Sequence, residues 1–240
     1  MLSALMSILP IAAAVAIVVL SVRRARHEGR PSPSRICWLA VPVLALAVVA
    51  VLCVLGLYQG GPLELLVLGA SAIGASQVML RRDQVHAAAA AWGEKRGWSR
   101  ERTHALFTLA ALLACTLLGH LAVELPYNYE ILWMAPQYAL LQCLIILLAL
   151  GALHFLFQRR GAGMVVGVGL CFVIGLAQFF VASFKSAAIL PNDLFVLGTA
   201  AAVSGSYTYA IGGGVALGLA AVLLATAVGS LVAPAPATSR

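Results

Sequence analysis

PQYALLQCLIILLALGALHFLF, residues 136–157, followed by QRRG and then AGMVVGVGLCFVIGLAQFFV, residues 162–181, decides the fold. Each apolar run is about 20 residues long, enough for a helix to cross roughly 30 Å of hydrocarbon. Inside lipid a backbone must satisfy its own hydrogen bonds, so each run is read as a helix. Between them Gln158–Gly161 form a short connection that carries Arg159 and Arg160.

Further runs of the same kind lie on either side. Leu5–Val22, Ile36–Leu57, Pro62–Leu80, Ala105–Val123 and Ala210–Val232 bring the expected spans to seven. Hydrophobic residues make up 62% of the chain and charged ones 10%, against about 25% charged in soluble proteins. Mean hydropathy is +1.01. That composition excludes a soluble enzyme, a disordered tail and a nucleic-acid module. The expected fold is all-α, a polytopic transmembrane bundle over residues 1–232, with an interfacial or re-entrant helix near 194–203. The Ala- and Pro-rich end, 233–240, reads as disordered. Pro62–Leu80 is the most polar run, yet Ala70 and Gly74, Ser71 and Ala75, and Ala72 and Ser76 sit four apart. Small residues at that spacing let a neighbouring helix approach closely.

The net charge of +7 belongs to short loops rather than to a nucleic-acid footprint. Loops 23–35, 81–104 and 158–161 hold thirteen of the fifteen Lys and Arg. They alternate along the chain, as loops on one side of a membrane must, and excess Lys and Arg mark the cytoplasmic side. The N-terminus, 58–61, 124–135 and 182–209 then face outward, and Arg240 lies inside. Tyr58–Gly61 reads as a tight outer turn, so the second and third runs form a helical hairpin. In loop 81–104, Gln84–Trp92 is helix-prone, and Ser99 is placed to cap the next helix, with Glu101 in its first turn. Trp92, Trp98 and the loop's six bases suit a segment lying on anionic headgroups; an ordinary polar connector is the other reading.

Polar groups at membrane depth are costly and call for a reason. His120, Glu124 and Asn128 fall one helical turn apart, with Pro126 expected to end the helix before Asn128. With Tyr127, Tyr129, Glu130 and Trp133 they make an acidic, aromatic outer rim. It reads either as a lipid-headgroup or substrate contact, or as an interfacial belt with a His–Glu hydrogen bond. Lys185 is the one base expected outside, where it suits a lipid phosphate or Asp193. Its loop is either a binding site or a pinned turn. Gln142, His154 and Gln178 are lone polar residues within spans, placed to hydrogen-bond between helices. Gly212–Gly214 suits close packing. Cys37, Cys53, Cys115, Cys143 and Cys171 are isolated, with no metal spacing. Neither a metal nor a cofactor is expected. There is no HExxH, P-loop or GxSxG motif.

FFVASFKSAAILPNDLFVLGTAAAVSGSYTY, residues 179–209, resembles a stretch in the membrane domain of bacterial lipoteichoic acid synthase-like phosphoglycerol transferases. The shared pattern is a basic residue, a Pro, an Asp-Leu, a Thr-Ala and a closing Tyr. HLAVELPYNYEILWMAPQYALLQCLIILLAL, residues 120–150, is similar to the part of that domain preceding it. The resemblance covers roughly 105–232 and falls on Lys185, Pro191, Asp193, Thr199 and Tyr207, with Glu124 and Asn128 more weakly. It implies a bacterial cytoplasmic-membrane protein that anchors and presents a lipid, with anionic phospholipid as ligand. In that family catalysis resides in an extracellular sulfatase-type domain with a Thr nucleophile and a divalent metal, absent from these 240 residues. The chain alone is therefore expected to be non-catalytic, as a fragment, a stand-alone paralogue, or one half of a split enzyme with a separate catalytic subunit as its partner. A small transporter or other membrane binding protein is the alternative.

The seven-span order makes a labelling prediction. In a cysteine-free background, a cysteine at Tyr127 reacts with membrane-impermeant thiol reagents in intact cells, while one at Ser239 does not. Labelling at Ser239 from outside overturns the order.

Overall fold

Proline and glycine set several of the helix boundaries. The computed structural model describes residues 2–27, 33–128, 130–185 and 210–232, with side chains over 11–23, 38–128, 130–183 and 210–232. The described residues form α1 (Leu2–His27), α2 (Pro33–Val54), α3 (Pro62–Leu80), α4 (Arg82–Lys95), α5 (Arg100–Glu124), α6 (Pro136–Leu156), α7 (Gly161–Lys185) and α8 (Gly213–Ser230). Pro62 and Pro136 begin α3 and α6, where the missing N–H has no intrahelical partner to lose. Ser99 caps α5 as expected, its hydroxyl accepting from the Arg102 N–H at 3.2 Å. α4 ends at Gly97, whose φ of +67° is left-handed. There the Gly97 and Trp98 amides donate back to the Glu94 and Gly93 carbonyls at 3.0 Å each, a glycine C-cap that satisfies two orphan carbonyls.

α8 is the common wall. One face, Ala216, Ala220, Leu223 and Ala227, packs with Ile11, Leu46, Leu65, Leu68, Ala72 and Ala75 of α1–α3. Another, Ala221 and Ala225, packs with Cys115, Ala122, Ile146, Leu150, Met164 and Val168 of α5–α7. In α3 the pair Ala72 and Ser76 is buried while Ala70 and Gly74 are exposed, so only part of the small-residue spacing serves an interface. Around α8 several backbones nearly touch. A methyl at Gly175 would meet the Ala122 carbonyl at 2.8 Å, and methyls at Gly161 and Gly214 would strike the carbonyls of Gly229 and Leu125. Gly213, in the triplet read as a packing device, lies against the Glu64 side chain, where an added methyl would come 2.8 Å from Cδ.

Loops 57–61, 125–135 and 210–212 share one end of the bundle. Ile211 donates to the Leu57 carbonyl at 2.7 Å and accepts from the Gln59 amide at 2.9 Å, the one bridge of strand type among the described residues. Burial first, and then the Glu64 carboxylate, hold the Tyr58 phenol far above its ordinary range, so it stays a neutral donor to the Gly61 carbonyl at 3.3 Å. The other end gathers 81–99, 157–160 and 231–232, with Gln77 of α3 donating to Ser21 of α1 at 3.0 Å nearby. At the α6–α7 turn Gln158 and Arg159 are both left-handed, φ 57° and 59°, and the His154 ring pairs with the Arg160 carbonyl at 3.3 Å. That bond closes a turn; it does not join two helices as the sequence suggested.

The outer faces are apolar. On α6, Leu140 is 70% exposed and Leu148 66%, surface that a soluble monomer would not present along a whole helix. Five described helices are long and apolar enough to cross a membrane: α3, α5, α6, α7 over Gly161–Ser183, and α8. Ile11–Arg23 and Trp38–Val54 are shorter apolar helices. The protein is a helical, multi-pass membrane protein. Residues 194–203 and 233–240, for which an interfacial helix and a disordered tail are expected, lie outside the described residues.

Two glycines test the packing in opposite directions. Gly175→Ala forces a methyl onto carbonyls that cannot swing aside, and should cost about 1–3 kcal/mol. Gly74 has open space around it, so Gly74→Ala should be neutral or gain about 0.5–1 kcal/mol of helix stability. Thermal unfolding of both variants in detergent checks the contrast.

Candidate polar site at the end of α5

The end of α5 folds back upon Glu124. Pro126 is buried, and a proline there cannot continue the helix. The amides of Tyr127 and Asn128 turn back to the Glu124 carbonyl at 3.1 and 2.8 Å. Glu124 itself is 3% exposed. A buried carboxylate is tolerable only when its lone pairs are satisfied, and three donors do this. Asn128 Nδ2 reaches Oε2 at 2.7 Å, while Gln142 Nε2 and the Tyr127 hydroxyl reach Oε1 at 2.8 and 3.1 Å. Each of the three is electrically neutral. Burial, together with the Glu124 charge and hydrogen bond, pushes the Tyr127 phenol up to about 12, so Tyr127 remains a donor throughout the ordinary pH range.

Gln142, in the second turn of α6, extends the network. Its Oε1 lies 2.9 Å from His120 Nδ1. An amide oxygen only accepts, so Nδ1 carries the proton in this pairing. Hydrogen bonds thus run from His120 through the Gln142 amide to Glu124. The structure brings together His120, Glu124 and Asn128, but the direct His–Glu bond allowed by the sequence is replaced by a bridge. Asn128 Oδ1 also accepts from the Glu130 amide at 3.0 Å, fixing the turn beyond the helix. The sequence marked Gln142 as an interhelical partner without assigning it to this group. The available signal was its position about two turns into an antiparallel neighbour.

Gln142 also belongs to the wall of a groove. An apolar cleft of about 450 Å³ runs between α6 and α7, from Tyr138 and Gln142 past Ile145 and Leu170 to Leu153. Gly167 forms part of its wall, and a side chain there would strike Leu150. The cleft thus has one polar end and a long apolar body. Lys185 closes α7, but its side chain and Asp193 lie outside the described residues, as does their proposed pairing. Among the described residues no group of three or more His, Cys, Asp or Glu is placed to hold a metal.

No family model matches the chain, and neither a curated protein nor a solved structure matches it.

Removing the bridge tests the network. Gln142→Leu deprives Glu124 of one donor and His120 of its acceptor, and should cost about 1–3 kcal/mol. An unchanged thermal midpoint would show that the amide does not hold the two helices.

Proposed function

We propose that this chain is a lipid-holding membrane domain of the kind found in lipoteichoic acid synthase-like phosphoglycerol transferases. In this reading it crosses a bacterial cytoplasmic membrane seven times, with its N-terminus outside and C-terminus inside. The position of Gln142 carries the proposal. It joins the Glu124 network to the apolar groove, so one amphiphile can place its headgroup at the former and a tail in the latter. A glycerol headgroup suits such a rim, because its hydroxyls both donate and accept. The phosphate of the same lipid needs a cation, and Lys185, ending the helix that forms one groove wall, is the base in that region. The motif pattern of 179–209 supports the family reading. Chemistry on the lipid would fall to a separate sulfatase-type partner, and the chain itself would hold and orient the lipid.

The test is lipid retention after detergent extraction, read by native mass spectrometry with phosphatidylglycerol and phosphatidylcholine as probes. Gln142→Leu and Lys185→Ala should each reduce retained phosphatidylglycerol several-fold, while Lys95→Ala, at the other end of the bundle, should not. Equal retention in all three variants would remove the proposed site.

A further inference from the structure

The end of the bundle opposite Glu124 carries a different constellation. α4 and α5 form a tight hairpin there. The connection is fixed by Gly97 and Ser99, and Gly93 sits so close to Thr103 that a methyl would come 2.9 Å from its Cγ2. This closeness brings Trp92 and Trp98 edge to face, with ring centroids 4.9 Å apart. The Arg96 guanidinium lies 4.3 Å from the Trp92 ring centre and 5.5 Å from that of Trp98. Arg102 lies 5.0 Å from the Trp98 ring centre. Two cations therefore share one indole.

A cation–π contact uses the charge of a guanidinium and none of its hydrogen-bond donors, so the N–H groups stay available to an anion. Among the described residues neither Arg96 nor Arg102 has a carboxylate partner, and both are exposed. Two like charges on a common platform repel, and an anion between or beside them relieves that repulsion. The forked donors match a phosphodiester.

The α5 surface identifies the anion's carrier. From Arg102, steps of four, three, four and four residues lead to Leu106, Leu109, Leu113 and Leu117. All four are exposed, from 39% at Leu106 to 60% at Leu117. That stripe lies on a helix apolar enough to cross a membrane, so it faces acyl chains, and Arg102 stands at its end. Trp92, 48% exposed, is the residue type that settles at the boundary between headgroups and tails.

We infer that the α4–α5 hairpin is a binding site for an anionic phospholipid, with the lipid phosphodiester gripped by Arg96 and Arg102 on the Trp92–Trp98 platform and an acyl chain along Leu106–Leu117. A free phosphate or nucleotide would have no use for the leucine stripe. The inference rests on membrane embedding and is independent of the Gln142 site at the other end.

The full chain with Trp38→Phe and Trp133→Phe leaves Trp92 and Trp98 as its only fluorophores. It is reconstituted into phosphatidylcholine vesicles containing brominated phosphatidylglycerol or, at the same mole fraction, brominated phosphatidylcholine. The anionic probe should quench as though enriched roughly three- to fivefold at the tryptophans, the scale of about 1 kcal/mol for a base near a charged surface. Arg96→Gln with Arg102→Gln should bring the enrichment down to about one. Arg96→Lys with Arg102→Lys keeps the charge but loses the forked donors, and should retain only part of it. Equal quenching by the two probes in the parent protein overturns the site. So does enrichment that survives the Gln pair, or that stays at full strength in the Lys pair, since a plain charge effect would then suffice. Displacement by inorganic phosphate as readily as by unbrominated phosphatidylglycerol overturns the lipid assignment. The exposed positions of both arginines make folding loss a minor concern, and an unchanged thermal midpoint in the Lys pair controls for it.

Discussion

Close approach of backbones around α8 is the constraint on which the rest depends. In lipid, helices gain little by hiding apolar side chains from one another, so association rests on contact area and fit. Alanines and glycines along α8 let α3, α5 and α7 come near enough for that contact. Two triplets of helices, α1–α3 and α5–α7, are thereby joined through a shared partner. Leucines such as Leu65, Leu68 and Leu223 fill the space between the small residues, while Leu140, Leu144 and Leu148 of α6 are exposed at the periphery. The distribution is that of a membrane protein, with small residues concentrated where helices meet and apolar leucines on the outer face as well as in the core.

The Glu124 network shows how such a bundle can hold a charge. Backbone geometry places the carboxylate in the closing turn of α5, and donors from that turn and from α6 converge upon it. Two of the three donors, Tyr127 and Asn128, are local and come with the turn; the third is Gln142 of α6. That third bond needs α6 at one particular rotation, so the bond that helps accommodate the charge also orients Gln142 toward the groove. Polar satisfaction and the shape of the cleft are therefore not independent.

Much of the architecture was legible because it rests on length, hydropathy and local capping. Pro136–Phe157 and Ala162–Val181 correspond to α6 and most of α7, Ser99 caps α5, and the polar run Pro62–Leu80 is a helix of spanning length. What one strand of sequence does not carry is the rotation of each helix against its partners. Ala70–Gly74 and Ala72–Ser76 have the same spacing, yet only the second pair is buried, because that face meets other helices. For the same reason Gln142 could be seen as a helix-to-helix donor but not matched with Glu124. His154 was misread because its partner carbonyl, at Arg160, depends on two consecutive left-handed residues in the turn.

An interface of alanine and glycine is smooth. Its low relief resists separation but offers little against axial sliding of one helix along another. The paired backbone at Leu57, Gln59 and Ile211 supplies the missing friction. Hydrogen bonds of 2.7 and 2.9 Å lengthen past bonding range with a small displacement, so this short pairing ties the chain after α2 to the start of α8. It joins residues 57–59 to Ile211, and a shift of one residue between them would require both bonds to break together.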